Sequence, residues 1–270
     1  MSNLPRVVLT GGVSGGHTFP RIAVARTLQA RYPQGIEFLF IGSEGTFESN
    51  AMSAAGIPVK YVLYGKMRRY FSLLNYLDAF KLPIGFVQAL WHLLWFMPDV
   101  VFSKGGAASV PVVLAARLYR IPVLIHDSDS VAGRANVFLR NFVQKIAIAY
   151  PSAAQFFPAD KTILTGNPVR TEVYSGSVES ARAIFSLAPE KKTILIVGGS
   201  QGARGLNIAV LRILPALLTK GIQVIHQVGN QNIGDVSALA AELGVPLQGG
   251  DYHPVPFLDP QAIGDAYAAA

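Results

Sequence analysis

A glycine-rich segment near the start of the chain has the composition of an anion-binding turn. It reads Gly-Gly-Val-Ser-Gly-Gly-His over Gly11–His17, between a strand-like run at Arg6–Thr10 and apolar residues at helical spacing from Phe19 to Ala30. A glycine turn between a strand and a helix presents backbone N–H groups at the helix N-terminus, where they suit phosphate or another anion. A tight connection that binds nothing would use the same glycines, so this alternative stays open.

Two familiar nucleotide-binding motifs match the turn only in part. A P-loop needs a lysine where this chain has His17. A dinucleotide fingerprint needs a glycine at Val13, although Glu44 could hold a ribose, so a nicotinamide enzyme remains an alternative. A second glycine turn, Gly198–Gly202, follows another strand-like run. Two such turns favour a sugar-nucleotide enzyme built from two α/β domains.

Short apolar runs alternate with helical patterns along the chain, which predicts a parallel sheet covered on both faces. The predicted strands of this doubly wound α/β domain are Arg6–Thr10, Ile36–Ile41, Val59–Leu63, Asp99–Phe102, Pro122–Ile125, Lys145–Ala149 and Thr162–Leu164. The pattern restarts with strands predicted at Thr193–Val197, Ile222–Gln227 and Val255–Leu258. We therefore expect domains at residues 1–167 and 168–270. The second is short for a domain and ends inside a helical pattern, so we expect it to be incomplete and the chain truncated.

The composition excludes several kinds of site and several classes of protein. The chain has 270 residues and a formal net charge of +7. It has no cysteine, and this excludes thiol catalysis, cysteine–zinc sites and disulfides. It has no Lys/Arg-rich arm, so we expect no nucleic-acid partner. The most apolar stretch, Leu82–Pro98, contains Gln88 and His92 and is shorter than the ~20 residues of a membrane-spanning helix. These features favour a soluble or peripheral protein.

Basic and aromatic residues alternate between residues 60 and 81. This composition is typical of docking on an anionic membrane surface, and the residues predicted to do so are Lys66, Arg68, Arg69, Tyr70 and Phe71. For Phe86–Phe96, which includes Trp91 and Trp95, we expect an ordinary core-facing helix with a solvated basic edge.

Five segments, taken in order, resemble the signatures of the MurG family. They are Thr10–Arg26 around the first turn, Ser103–Pro111 (SKGGAASVP), His126–Asn136 (HDSDSVAGRAN), Gly166–Arg170 (GNPVR) and Val197–Arg204 (VGGSQGAR). The resemblance implies an inverting transferase that moves N-acetylglucosamine from UDP-GlcNAc to lipid I, forming lipid II for peptidoglycan and so serving cell shape and division. It also implies a GT-B fold with the reaction in a cleft between two doubly wound domains, the acceptor on the first and the donor on the second. No metal or other cofactor is expected, and the protein would lie on the cytoplasmic face of the membrane.

The resemblance also implies roles for single residues. His17, at the cleft end of the first strand-to-helix turn, is the first candidate for the general base, with a helix-capping or packing role as the alternative, and Asp127 is the second. His126 ends a buried strand and is expected to be structural. The expected substrate-binding residues are Ser14, Gly15, Gly16, Asp129, Asn136, Arg170, Ser200, Gln201 and Leu258. Among these, Ser14, Gly15 and Gly16 face the acceptor diphosphate or the reacting sugar, Arg170 and Ser200 contact the UDP phosphates, and the Leu258 backbone reads the uracil. The D-x-D spelling of residues 127–129 is interpreted as coincidence.

The sequence departs from the family pattern at several positions. Val13 stands where many members have glycine, Ala107 where many have tyrosine, and Asp129 where many have asparagine. The helix that binds the donor in the family would begin after Ala270, so we expect this chain to bind donor weakly and to be nearly inactive. The alternatives are another GT-B glycolipid synthase, a UDP-sugar epimerase or an inactive fragment. The base, the acceptor peptide and the oligomeric state stay open.

Overall fold

The computed structural model describes residues 4–12, 15–65, 74–199, 202–247 and 249–270. The chain divides into two compact units, Met1–Val169 and Arg170–Ala270. The expected domain boundary, after residue 167, lies close to this division.

A sheet of seven parallel strands forms the centre of the first unit. Its strand order is β3-β2-β1-β4-β5-β6-β7. The strands are β1 (Arg6–Gly11), β2 (Glu37–Gly42), β3 (Val59–Tyr61), β4 (Val100–Ser103), β5 (Val123–Asp127), β6 (Lys145–Ile148) and β7 (Thr162–Leu164). The prediction of seven strands is confirmed. The central strands are short apolar runs buried on both faces, as a parallel sheet requires, whereas the edge strands β3 and β7 are partly exposed.

Helices cover both faces of this sheet. They are α1 (Gly15–Arg31), α2 (Thr46–Ala54), α3 (Leu74–Phe96), α4 (Ser109–Leu118) and α5 (Arg134–Leu139). Side chains of β1 alternate between two cores: Val7 and Leu9 pack on the α1 side, and Val8 packs on the α3 and α4 side. This two-sided packing confirms the doubly wound α/β fold.

The second unit has a parallel sheet of order β10-β9-β8 in its described part. Its elements are α6 (Val178–Phe185), β8 (Lys192–Val197), α7 (Arg204–Thr219), β9 (Ile222–Gln227), α8 (Ile233–Glu242), β10 (Tyr252–Val255) and α9 (Pro260–Ala269).

The strand predicted at Val255–Leu258 is wrong. The observed strand β10 ends at Val255, where its partner β9 also ends with the pair Val255↔Gln227. The chain then turns into α9, and Leu258 is buried in the apolar core beside Phe185 and Ala266. An apolar segment after a strand was therefore mistaken for the strand itself.

From residue 81 to residue 96, helix α3 buries one side in the core and exposes the other. Ala89 and Leu93 are buried, whereas Trp91 and Trp95 are 59% and 70% exposed and their rings lie edge to face, 5.6 Å apart. The predicted core-facing side of Phe86–Phe96 is correct, but the predicted basic edge is wrong, because the solvent side is apolar. Within the described residues, no helix has both the length and the hydrophobicity needed to cross a membrane.

Candidate functional site

A cavity of about 1090 Å³ lies in the first unit, beside the carboxyl ends of β1 and β4. The strand order reverses between these two strands, and the crevice at such a point is where open α/β sheets bind ligands. One part of the wall is apolar and the other is polar or charged. The apolar part includes Leu82, Val110, Leu114 and Phe138, and the polar part includes His17, Lys104, Asp127, Asp129, Arg134 and Asn136.

Two glycine turns pack against each other at the cavity floor. Gly106 has a φ of 90°, and a Cβ there would lie 2.9 Å from the Cα and N atoms of Gly12. Gly105 has a φ of 81°, and its Cβ would lie 2.6 Å from Oδ1 of Asn136. The turn after β4 therefore needs glycine both for its backbone conformation and for its close contacts.

We expect Gly106→Ala to destabilise the protein by about 2–4 kcal/mol, because left-handed strain of about 1–2 kcal/mol adds to a backbone clash. The matched control is Gly56→Ala, since Gly56 also has a positive φ of 72° but open space around it. Denaturant unfolding of both variants measures the difference. Equal losses of stability would show that the contact with Gly12 is not tight.

His17 is held in one tautomer by the backbone. Its Nδ1 lies 3.0 Å from the carbonyl oxygen of Lys104. Since a carbonyl only accepts, Nδ1 carries the proton and Nε2 has a free lone pair. Burial, followed by the positive charges of Arg21 and Lys104, lowers the pKa of His17, so the ring is neutral at pH 7. This is the state that a general base requires.

Both carboxylate oxygens of Asp127 accept hydrogen bonds from residues that follow it in the chain. Its Oδ1 accepts from the backbone N–H of Asp129 at 3.1 Å, and its Oδ2 accepts from Gly133 N at 3.0 Å and from Nδ2 of Asn136 at 2.9 Å. A carboxylate with these three donors organises the loop and is poorly placed to take a proton from a substrate. Of the two candidate bases, the geometry favours His17.

Lys104, which lines the cavity, forms a pair with His126, and both side chains are buried. Nζ of Lys104 lies 2.8 Å from Nδ1 of His126 and also donates to Oγ of Ser128. Nε2 of His126 is 2.9 Å from the carbonyl oxygen of Gly166, so Nε2 carries the proton and Nδ1 accepts from the lysine. Burial is the main reason that the pKa of Lys104 falls to about 8 and that of His126 to about 4, with the lysine charge contributing to the second shift. His126 thus has both ring nitrogens bonded, as a structural residue would.

Sequence reasoning did not single out Lys104. The signal available was its position directly after a buried strand and before two glycines.

A second residue that sequence reasoning missed is Arg21, which is fully buried on α1. Its guanidinium donates to Glu48 Oε1 at 2.5 Å, to the carbonyl oxygen of His17 at 2.9 Å and to that of Gly12 at 3.1 Å. It also lies over the Phe40 ring, 4.6 Å from the centroid. Arg21 therefore ties together both sides of the first glycine turn. A lone charge within an apolar helical stripe was the sequence signal.

The other predicted residues are distributed between the two units. Gly15 and Gly16 begin α1, and Asp129 is exposed at the cavity rim. Asn136 is buried, and its Oδ1 has no hydrogen-bond partner among the described residues. Arg170 and Leu258 belong to the second unit. Ser14, Ser200 and Gln201 lie outside the described residues, as do Lys66, Arg68, Arg69, Tyr70 and Phe71.

In the described part of the chain, no group of three or more His, Asp or Glu side chains is placed to hold a metal ion. At residues 127–129, the oxygens of Asp127 accept from backbone and amide donors.

Comparison with known proteins identifies the family. Residues 7–148 match the Glycosyltransferase family 28 N-terminal domain, and residues 193–269 match its C-terminal domain. A Phocaeicola vulgatus protein named UDP-N-acetylglucosamine–N-acetylmuramyl-(pentapeptide) pyrophosphoryl-undecaprenol N-acetylglucosamine transferase is 38% identical over 98% of this chain and 69% of its own length. The crystal structure of Acinetobacter baumannii MurG has a TM-score of 0.68 and 28% identity, covering 96% of this chain and 68% of that one. This chain belongs to the MurG family.

The MurG assignment confirms the family predicted from the five segments and, with it, the GT-B class of fold. A Bacillus cereus relative with the same transferase name is 40% identical over 86% of this chain, which spans 65% of that relative's length. UDP-GlcNAc 2-epimerase from Neisseria meningitidis has a TM-score of 0.63 at 15% identity, covering 97% of this chain and 74% of that one, so it shares the fold alone.

Proposed function

We propose that this MurG-family chain acts in peptidoglycan synthesis by moving N-acetylglucosamine from UDP-GlcNAc to lipid I, forming lipid II with inversion at the sugar carbon. The observation that carries the proposal is the 38–40% identity, over 86–98% of the chain, to proteins named for this transfer.

The cavity in the first unit supports a lipid-linked acceptor there. Lipid I is an amphiphile with a polyprenyl chain, a diphosphate and a sugar. The apolar wall, with Leu114 and Phe138, suits the beginning of the chain, and the polar wall, with His17 and Lys104, suits the diphosphate and the sugar. The turn at Gly15 and Gly16 begins α1, where backbone N–H groups favour an anion.

The chemistry is a single displacement. The acceptor hydroxyl attacks the anomeric carbon of the donor sugar, the bond to UDP breaks, and UDP leaves with the bonding electron pair. His17 takes the hydroxyl proton on Nε2, the nitrogen that its bond to Lys104 O leaves open. The UDP moiety is bound, without a metal ion, by Arg170, Ser200, Gln201 and the Leu258 backbone.

The chain would reach its lipid substrate by docking on the cytoplasmic face of the membrane. The basic and aromatic residues predicted for this lie at residues 66–71, directly before α3. The exposed apolar face of α3, with Val87, Trp91, Leu94 and Trp95, offers further side chains that favour the membrane interface.

We expect the double variant Trp91→Ser, Trp95→Ser to lower partitioning onto anionic vesicles by about 10- to 100-fold, because two large exposed indoles lose their burial in the interface. Co-sedimentation with phosphatidylglycerol vesicles measures it. The control is Tyr174→Ser, Tyr267→Ser, which removes two exposed aromatic residues of the second unit. Equal partitioning of the two double variants would show that α3 does not contribute to docking.

Transfer is tested by following radiolabel from UDP-GlcNAc into a lipid product. The sequence predicts weak donor binding and low activity, and we expect the label that is transferred to appear in lipid II when lipid I is supplied, with none in diacylglycerol and no release of N-acetylmannosamine products. Label in diacylglycerol would favour a glycolipid synthase, and epimerised sugar would favour an epimerase. Either result without lipid II would overturn the proposal.

A further inference from the structure

The buried Lys104 at the cavity wall has fewer hydrogen-bond partners than its ammonium group can bind. The Lys104 side chain is 2% exposed and yet borders the cavity. Among the described residues, its Nζ has two hydrogen-bond partners, Nδ1 of His126 and Oγ of Ser128. An ammonium has three N–H groups, so one remains for another acceptor.

The two bonded partners are neutral. His126 is fixed as an acceptor because its Nε2 donates to Gly166, and a serine hydroxyl has no charge. Asp127 and Asp129 attract the lysine from farther away, but the Asp127 oxygens are bonded to Asp129 N, Gly133 N and Asn136. The ammonium is therefore buried without a directly bonded carboxylate, which is costly unless an anion completes the site.

We propose that Lys104 binds a phosphate oxygen of the acceptor's diphosphate, with His126 and Ser128 as positioning residues that aim the ammonium into the cavity. This inference rests on the proposed function, since it takes the acceptor to be a prenyl diphosphate. The lysine supplies the charge-assisted bond that a glycine turn of neutral N–H groups does not. The apolar wall beside it selects a diphosphate that carries a hydrocarbon chain.

The proton equilibrium of Lys104 gives the site a recognisable pH dependence. Its pKa in the free protein is about 8, so the amine is mostly charged at pH 7 and mostly neutral at pH 9. A bound phosphate raises that pKa, because it favours the charged form. The affinity is then fully present below pH 8, and above it the Kd rises about tenfold per pH unit until the pKa of the bound state is reached.

The groups around Lys104 are Arg21 and His17 on α1, His126 and Asp127 on β5, and Asp129 after it. The two histidines have lowered pKa values, so both are neutral through the interval from pH 7 to 9. Their protonation therefore does not contribute to a change in affinity above pH 8.

The test is direct binding by calorimetry, with no transfer reaction. The probes are geranyl diphosphate, geranyl monophosphate, geraniol and UDP, and the full chain is used at pH 7 and pH 9. We expect the wild-type protein to bind the diphosphate most tightly and the alcohol most weakly. Lys104→Met should lower the affinity for geranyl diphosphate about 10- to 100-fold at pH 7 and leave the affinities for geraniol and UDP unchanged. In this variant the affinity for geranyl diphosphate should no longer fall between pH 7 and pH 9.

Two further variants separate binding from folding. Lys104→Arg keeps the charge through this pH range, so it should retain more affinity at pH 7 than Lys104→Met and weaken little by pH 9. Lys145→Met removes a lysine from the start of β6, at the end of the strand opposite to the cavity, and should bind like the wild type.

Several results would overturn the proposal. One is a Lys104→Met protein that binds geranyl diphosphate with the wild-type affinity and pH profile, and another is a wild-type protein that does not prefer the diphosphate to geraniol. An equal loss of UDP binding in Lys104→Met would place the lysine at the donor instead. Because these are binding measurements, a chain that fails to transfer sugar but binds the diphosphate through Lys104 separates this inference from the proposed function.

Discussion

Under the proposed function, we expect that replacing His17 with alanine or glutamine lowers the turnover number for sugar transfer by about 10²- to 10⁴-fold and changes the Michaelis constant for lipid I little. The reason is that Nε2 of His17 is the open nitrogen at the cavity, since Nδ1 is held by the carbonyl of Lys104. Steady-state kinetics with both substrates varied measure the two parameters.

The pH profile gives a second check on His17. A base must be deprotonated, and burial lowers its pKa below the usual 6.5. The wild-type rate should therefore rise with pH below 6.5 and be constant by pH 7, and His17→Gln should lose this rise.

The control for His17 is His92→Gln. His92 bonds to the carbonyl oxygen of Tyr61, away from the cavity residues, and should leave the rate unchanged. Full activity of His17→Ala would show that another group is the base. If Asp127→Asn lost as much turnover as is expected for the His17 variants, with no change in loop structure, Asp127 would be favoured.

The second large effect concerns stability, at the buried pair of Arg21 and Glu48. Both side chains are almost inaccessible, at 0% and 1%, and the ion pair measures 2.5 Å. Glu48→Ala leaves the guanidinium buried without its carboxylate, so we expect a loss of about 3–5 kcal/mol in the free energy of unfolding. Urea unfolding, followed by circular dichroism, measures it.

The double variant Arg21→Met, Glu48→Met separates the pair's effect on stability from its effect on the site. Replacing both charges with apolar side chains should recover most of the lost stability, because no charge then remains buried. Sugar transfer should be lower than in the wild type, because the bonds from Arg21 to the carbonyls of Gly12 and His17 are lost.

The matched control for the buried pair is Glu37→Ala. Arg6 and Glu37 form an ion pair of 3.0 Å with side chains 32% and 46% exposed, and breaking it should cost less than about 1 kcal/mol. If Glu48→Ala and Glu37→Ala lower the free energy of unfolding by the same amount, the Arg21–Glu48 pair does not stabilise the protein as expected.

The strands of the first unit could be predicted because their residues have few alternatives. A run such as Val7, Val8 and Leu9 is buried on both faces, and an apolar run of that length beside a glycine turn has one common role in an α/β protein. The prediction failed at Val255–Leu258, where burial comes from a core contact of Leu258 and not from strand pairing. Composition does not distinguish these two causes of burial.

The candidate site was predictable where it depends on backbone shape. Glycines at 11, 12, 105 and 106 signalled turns, and the structure packs Gly12 against Gly106. Lys104 and the Arg21–Glu48 pair were not predicted, because a charged residue among apolar neighbours looks the same in sequence whether it is exposed or buried. Their partners lie 22 and 27 residues away along the chain.

The sequence by itself determined the α/β alternation, the glycine turns and the family, because each depends on residue types at fixed local spacing. Only the tertiary structure decided which nitrogen of His17 is open, that Asp127 is tied to its loop, and that α3 exposes tryptophans. These properties depend on contacts between distant segments, such as the bond between His17 and Lys104 across 87 residues. Burial and hydrogen bonding set protonation, and both are consequences of the folded arrangement.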